Sequence, residues 1–214
     1  YVLRGDRADL SLDAVTGTDP QLAEPDPQMI PTVDVVSPVG WKDGEAPAAA
    51  KGLAVNRFAT GLEHPRTMLA LPNGDILVTL TNAPSRVVAG GTLTNLVAGF
   101  LFRKAGASVP SPNEIVLLRD DNGDGVAETR HVLRKGLASP SGMAYRDGKL
   151  YVADHDKVLE FPYELGSVAL AGEPRKLMDL PPAGNHWMRN ILLSEDGKKL
   201  YVAVGSASNI AEGG

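Results

Sequence analysis

The chain has 214 residues, of which 43% are hydrophobic and 22% charged, so it can bury a core and has the composition of a globular protein. Its net charge of −5 and the lack of clustered Lys and Arg argue against nucleic-acid binding. The absence of cysteine excludes disulfides, thiolate catalysis and cysteine-based zinc sites.

The first segment, residues 1–51, is rich in Pro, Asp and Ala. Because proline fixes φ and removes a backbone donor, we expect this segment to be extended and to lie over a folded body. The chain begins with Tyr1 and shows no signal peptide, which indicates a trimmed or matured N-terminus. We expect a periplasmic or secreted location.

A repeat begins after Gly52. Each copy has Gly-Leu, two residues, Pro, an apolar run, a turn with glycine and an alternating strand, as in residues 61–80 and 136–154. The turn and second strand return at residues 194–204. Once an apolar insert of about 25 residues in the first copy is set aside, the turn glycines recur at a period of roughly 40 to 50 residues, which is typical of β-propeller blades. These glycines are Gly74, Gly148 and Gly197.

Each unit reads as four short strands in meander order, bounded by Gly, Pro and Asp turns. The pattern therefore predicts an all-β fold, a β-propeller. Its segments are blade 1 at about 53–135 with a helical insert at about 83–108, blade 2 at about 136–183, and an incomplete blade 3 from 184. No amphipathic helix separates the strands, so a parallel sheet covered by helices is disfavoured.

About two and a half blades are too few to close a propeller, which needs roughly four to eight. An unclosed sheet would leave exposed edges that invite aggregation. We therefore expect this chain to be the N-terminal part of a longer protein and to be inactive alone.

The insert contains the most apolar stretch, residues 87–102, followed by Arg103 and Lys104. It is shorter than the roughly 20 apolar residues that a spanning helix needs. The pattern favours an amphipathic helix that packs on the domain. Peripheral membrane contact through residues 87–104 is the alternative.

The segment "RDDNGDGVAE" matches the first half of a calcium loop, with Asp120, Asn122 and Asp124 at ligand spacing and Glu128 able to ligate through water. The twelfth position is His131 instead of Glu, and the flanks are strands. A plain polar turn with glycines explains the same letters and is the favoured interpretation.

The four histidines differ in placement. His64, His131 and His155 fit surface or structural roles. His186 stands just ahead of the innermost strand of blade 3, where a propeller loop faces the axial pocket, and Trp187 beside it could form a wall of that pocket. A neutral imidazole there could take a proton from a substrate hydroxyl, since imidazole titrates near neutral pH.

The segments "GLEHPRTMLALPNGDILVTLTNAP", "SPNEIVLLRDDNGDGVAETRHVLRKGLASPSGMAYRDGKLYVADHDKVLEFPY" and "NHWMRNILLSEDGKKLYVAVGSASNIAE" resemble the sorbosone dehydrogenase-like family. This family is part of the pyrroloquinoline quinone (PQQ)-dependent soluble aldose and glucose dehydrogenases. The resemblance covers residues 50–214 and is most specific in "NHW–RN" and "VGSxSN".

The resemblance implies a six-bladed propeller with PQQ over the axial channel and a calcium ion beside the quinone. It implies that His186 is the general base in oxidation of a sugar or sugar aldehyde, with a cytochrome or quinone as electron acceptor. Arg66 could pair with a PQQ carboxylate, since guanidinium binds carboxylates bidentately, and a structural pairing is the alternative for it. Trp187 and Asn209 are further candidates for the cofactor site.

One departure concerns the acidic residue that orients the histidine in the glucose dehydrogenases, because Ser206 occupies that position here. Either another carboxylate substitutes, or Asn209 and its neighbours set the tautomer, or the activity is weaker. Two other functions stay open. One is a non-catalytic propeller that binds a carbohydrate or protein at its channel mouth. The other is a metal-dependent hydrolase, for which the chain supplies little beyond Asp154 and Asp156.

Overall fold

The computed structural model describes residues 9–22, 35–42, 44–84, 92–107, 109–182 and 186–206, with the side chains of 92–94 excepted. Within these ranges the chain forms ten β-strands and one α-helix, and all strand pairs are antiparallel. The expected all-β class is confirmed. The described residues before 65 contain neither a strand nor a helix.

Sheet one is a four-stranded meander in which each strand pairs with the next along the chain. The connection between its second and third strands carries the helix α1, Thr92–Lys104. The strands are β1 Pro65–Ala70, β2 Ile76–Leu80, β3 Glu114–Arg119 and β4 Thr129–Arg134.

Sheet two repeats the meander, and a two-stranded hairpin follows it. The hairpin joins the two apolar runs on either side of the polar turn at residues 194–199. The strands of sheet two are β5 Gly142–Arg146, β6 Lys149–Ala153, β7 Lys157–Pro162 and β8 Arg175–Asp179; the hairpin strands are β9 Arg189–Leu193 and β10 Leu200–Val204.

The turn glycines of the repeat are needed for their backbone conformation. Gly74 has φ 91° and Gly148 has φ 74°, a region that side chains with a Cβ rarely adopt. Each lies between the first and second strands of its sheet. The repeat seen in the sequence is therefore one turn conformation used again in each sheet.

The core lies between the two sheets. Leu77 and Leu117 of sheet one and Leu150, Val152 and Phe161 of sheet two belong to one buried cluster. The opposite face of sheet one is covered by the segment around Phe58 and Leu62, which forms a second cluster. Because both faces of β2 and β3 are buried, their sequences are nearly continuous apolar runs.

The first strands of the three sheets lie beside one another, with β5 between β1 and β9. The approach of β5 to β9 is very close, since a Cβ at Gly142 would overlap the backbone of Arg189 and Asn190. This packing brings the loops ahead of β1, β5 and β9 to one edge of the molecule.

Candidate functional site

Loops from all three sheets meet at this edge, which we call the loop edge. In an antiparallel meander the start of the first strand, the end of the second and the start of the third lie together. The amide of Thr81, after β2, donates to the carbonyl of His64, ahead of β1, at 3.0 Å. Asn113 Oδ1, ahead of β3, accepts from Ser111 Oγ at 2.7 Å and from the amide of Ser139 at 3.0 Å. Sheets one and two are therefore tied together here.

His186 lies at the loop edge with an exposed side chain. Its Nδ1 is 2.8 Å from the carbonyl oxygen of Ser206, just after β10. A carbonyl can only accept, so Nδ1 carries the hydrogen and Nε2 of the neutral ring keeps its lone pair. The ring is thus in the tautomer that a general base acting through Nε2 requires.

Gly205 makes this contact sterically feasible. A Cβ at position 205 would clash with Cβ of His186 and come within 3.1 Å of its carbonyl oxygen. The resemblance implies an acidic side chain at position 206. Here the main-chain carbonyl of Ser206 bonds the histidine instead. That acceptor is neutral, so it orients the imidazole without adding a negative charge.

Arg66 and Trp187, two of the residues expected at the cofactor site, are in contact. The guanidinium carbon of Arg66 lies 5.6 Å from the centroid of the Trp187 ring, within the range of a cation–π interaction. Arg66 reaches this position from a β-bulge, because it is the extra residue between Pro65 and Thr67 in the pairing with β2. Trp187 is itself 7% exposed. The contact places a cation on the ring of the residue that follows His186.

Arg189 was given no role by the sequence interpretation, yet it supports the loop that carries His186. It is 1% exposed, and its terminal nitrogens donate to the carbonyls of His186 at 2.7 Å, Met188 at 3.2 Å and Pro181 at 3.2 Å. Its Nε has no partner among the described residues, and none of their carboxylates pairs with it. Burial lowers the pKa of Arg189.

Arg189 also joins the hairpin to sheet two. The Oγ of Ser141 accepts from the amide of Arg189 at 2.8 Å and donates to the carbonyl of Arg189 at 3.1 Å. The only sign of Arg189 in the sequence is its place at the start of an apolar strand, where its side chain must find buried acceptors.

Asp154 follows β6 at the loop edge and is 1% exposed. Its Oδ2 accepts from the amide of Ala138 at 3.0 Å and lies 3.5 Å from Nζ of Lys157. Its Oδ1 has no partner among the described residues. Burial outweighs the attraction of Lys157 and raises the pKa of Asp154 to about 6. Asp156, the other carboxylate considered from the sequence, forms a 3.0 Å ion pair with the same lysine.

The remaining expected residues do not join this group. His131 lies exposed on β4, and His155 directs Nδ1 at the carbonyl of Ala138 at 2.9 Å. The half-buried His64 contributes its carbonyl to Thr81. Asn209 lies outside the described residues.

The loop between β3 and β4 gathers three carboxylates. Oxygens of Asp120, Asp124 and Glu128 lie within 4.8 Å of one another. The same loop is held by its own hydrogen bonds: Asp120 accepts from the amides of Gly123 at 2.6 Å and Gly125 at 2.8 Å. Asn122 Nδ2 donates to Glu128 at 2.8 Å and to Asp124 at 3.2 Å. The bonds from the backbone amides, that of Gly125 first and then that of Gly123, lower the pKa of Asp120. The polar-turn interpretation accounts for each of these contacts, and the calcium-loop interpretation stays a prediction.

The described part of the loop edge fits an anionic planar cofactor. Arg66 offers a guanidinium held on the ring of Trp187, and His186, the residue before Trp187, offers its Nε2. The fit does not extend to a calcium ion at the same place. Among the described residues, no group of three or more carboxylate or histidine ligands gathers at this edge, where Asp154 and Asp156 are both paired with Lys157.

Comparison with known proteins gives a fold relationship. No family model matches the sequence, and no curated protein matches it. Two solved structures of a Trichoderma reesei enzyme of carbohydrate-active enzyme family AA12, an iodide and a calcium structure, are each 21% identical with a TM-score of 0.56. In both, the alignment covers 77% of this chain and 35% of the enzyme.

The holo form of the PQQ domain of pyranose dehydrogenase from Coprinopsis cinerea is 15% identical, with a TM-score of 0.50. That alignment covers 70% of this chain and 30% of the other. The chain therefore spans about a third of the length of the solved structures it resembles. At these identities the likeness shows a shared fold.

Proposed function

We propose that this chain is part of a PQQ-dependent oxidoreductase that oxidises a sugar or sugar aldehyde, and that the whole protein is a six-bladed propeller. Its sorbosone dehydrogenase-like sequence segments and its likeness to a PQQ domain of pyranose dehydrogenase support the proposal. The observation that carries it is the hydrogen bond from His186 Nδ1 to the carbonyl of Ser206, which leaves Nε2 free to act as a base.

The chain's own residues have distinct tasks in this reaction. Nε2 of His186 takes the proton of the substrate hydroxyl, and the Ser206 carbonyl keeps the ring in the required tautomer. Arg66, supported by the buried ring of Trp187, would together with Asn209 hold PQQ through its carboxylates. When bound, PQQ supplies the hydride acceptor.

Arg189 acts as a positioning residue. Its three donor bonds hold the main-chain carbonyls of Pro181, His186 and Met188 around one guanidinium. We assign no step to calcium, because no group of three or more carboxylate or histidine ligands gathers near His186 among the described residues. A periplasmic or secreted location and a cytochrome or quinone acceptor belong to the same proposal.

The test uses the intact protein, loaded with PQQ and supplied with aldoses or sugar aldehydes and a dye acceptor. We expect His186→Ala to lower kcat by about 10²-fold or more, as for loss of a general base. His131→Ala is the matched control, since that histidine is exposed on β4 away from the loop edge. Quenching of tryptophan fluorescence reports PQQ binding independently of turnover.

Two results would overturn the proposal. One is wild-type kcat in His186→Ala. The other is failure of the intact, folded protein to bind PQQ, and if that protein bound carbohydrate instead, the non-catalytic binding module would take its place.

A further inference from the structure

The helix α1 carries an apolar ridge that faces away from the body. Leu96 is 64% exposed, Val97 52% and Phe100 61%. Leu96, Phe100 and Lys104 are spaced four residues apart, so they line up along one side of the helix. Ala98 and Leu101, on the other side, are half-buried. Contiguous exposed apolar residues mark an interaction surface more often than isolated ones do.

The charge around this ridge is positive in a chain that is negative as a whole. Residues 76–113 contain no Asp or Glu, while the last turn of α1 carries Arg103 and Lys104. The net charge of the chain is −5. The net charge therefore disfavours a general attraction to an anionic surface, whereas the insert by itself is positive.

A second apolar segment lies next to the end of α1. A Cβ at Gly106 would be 3.0 Å from Cγ of Pro38, so residues 35–42 pass beside the helix end. Within this segment Val39 is 94% exposed and Trp41 65%. Tryptophan is favoured where an apolar medium meets water, because its ring is apolar and its N–H is polar.

The insert is anchored to the loop edge. Asn82, 7% exposed, donates through Nδ2 to the carbonyl of Val109 at 2.8 Å, and its amide donates to Ser111 Oγ at 2.8 Å. The chain therefore leaves and rejoins sheet one at the edge where His186 lies. Whatever binds the ridge is held on the same side of the molecule as the candidate site.

We propose that this surface, which consists of Leu96, Val97, Phe100, Arg103 and Lys104 and which we call the α1 ridge, docks the protein on an anionic lipid bilayer. The apolar side chains enter the headgroup region, and the two cations meet lipid phosphates. No helix among the described residues is long and apolar enough to cross a membrane. The contact is therefore peripheral.

A second copy of the chain fits the α1 ridge less well. In a two-fold contact the ridge would meet itself, and neither insert would supply an acidic residue to pair with Arg103 or Lys104 of the other. A bilayer with anionic headgroups offers both the apolar medium and the opposite charge. This inference does not depend on the proposed oxidation.

The experiment measures co-sedimentation of the intact protein with vesicles of phosphatidylcholine alone and with 30% phosphatidylglycerol, about a third of the lipid being anionic. We expect the wild-type protein to bind the anionic vesicles. In Arg103→Glu/Lys104→Glu the affinity for these vesicles should fall at least tenfold. The matched control is Lys198→Glu/Lys199→Glu, an equal charge change on the β9–β10 turn, which should bind like wild type. Phe100→Ser should also weaken binding, whereas Met178→Ser, an exposed apolar residue on β8, should not.

Binding equally weakened in both charge variants would overturn the proposal, because it would show attraction not confined to the insert. Failure of the wild-type protein to bind both kinds of vesicle would also overturn it. A dimer in sedimentation velocity that Phe100→Ser dissociates would assign the ridge to a second copy instead.

Discussion

His186 is held at two points, its ring and its own main-chain carbonyl. Its ring nitrogen Nδ1 bonds the carbonyl of Ser206, and its own carbonyl accepts from Arg189. Because neither acceptor is a side chain, substitutions that change the backbone position should affect the ring more than substitutions of Ser206. Gly205, which lies against His186, is the residue through which this can be tested.

We predict that Gly205→Ala displaces His186. The added Cβ would clash with Cβ of His186, so the ring must shift and the bond to Ser206 must lengthen or break. Such overpacking costs about 1–3 kcal/mol of unfolding free energy. Urea unfolding measures that cost, and ¹⁵N NMR of the imidazole reports loss of the Nδ1–H tautomer.

The control for this variant is Gly99→Ala in α1, where a Cβ meets nothing within 4 Å. A helical Gly→Ala change should stabilise by about 0.5–1 kcal/mol. Unchanged tautomer and stability in Gly205→Ala would show that the loop yields without cost, contrary to our interpretation of the close approach.

The residues of the site differ in how visible they are in a sequence. His186, Arg66 and Trp187 were candidates because their types and positions are unusual. The carbonyl of Ser206 carries no sequence signal, since every residue has one. The burial of Arg189 depends on three carbonyls that only the folded loop brings together.

Among the elements, sheet one carries an ion pair at the edge opposite the loop edge, in which the carboxylate is buried and the guanidinium partly exposed. Asp75, 1% exposed, follows the turn after β1 and receives two bonds from Arg119 at the end of β3, at 2.6 and 2.9 Å. Asn73 donates to the same carboxylate at 2.8 Å. These bonds lower the pKa of Asp75, first of all through Arg119.

We predict that Asp75→Asn costs about 2–4 kcal/mol of unfolding free energy, because it leaves the Arg119 guanidinium without its bidentate partner. A double-mutant cycle with Arg119→Gln should give a coupling energy of about 1–3 kcal/mol. The exposed pair Lys176–Asp179 is the comparison, since Asp179→Asn should cost less than about 1 kcal/mol. Equal costs in the two variants would contradict the role of burial.

The strands themselves were predictable, because alternating or continuous apolar runs between glycine turns leave few alternatives. Leu200–Val204 and Ile76–Leu80 lie where the pattern indicates. The Asp75–Arg119 pair was not predictable, since the two residues are 44 positions apart and polar residues near turns are common. Contacts between strands follow from register, which the pattern alone does not specify.

For the whole molecule, carboxylates with a shifted pKa have one of two opposite effects on stability. Among the described residues, four carboxylates have pKa values lowered by hydrogen bonds or ion pairs: Asp75, Asp120, Glu160 and Asp196. Each contributes stability above its unfolded-state pKa and loses it as the pH falls through its folded-state pKa. Asp154 has a raised pKa, so its contribution has the reverse sign.

We predict that Asp154 makes the protein less stable as the pH rises from about 4 to 6. Burial raises its pKa from 3.8 to about 6, so in this range the folded state holds a proton that the unfolded state has lost. The effect is at most about 3 kcal/mol, since one pKa unit corresponds to about 1.4 kcal/mol. The charge of nearby Asp156 also raises the pKa of Asp154, while Lys157 lowers that pKa without cancelling the effect of burial.

The measurement compares urea unfolding of wild type and Asp154→Asn between pH 4 and pH 8. The asparagine keeps an acceptor for the amide of Ala138 but cannot ionise, so its advantage over wild type should grow by about 2–3 kcal/mol across this range. Parallel curves for the two proteins would mean that Asp154 ionises at no cost in the fold. That result requires water or another cation at Oδ1, and the loop edge would then be more open than its burial indicates.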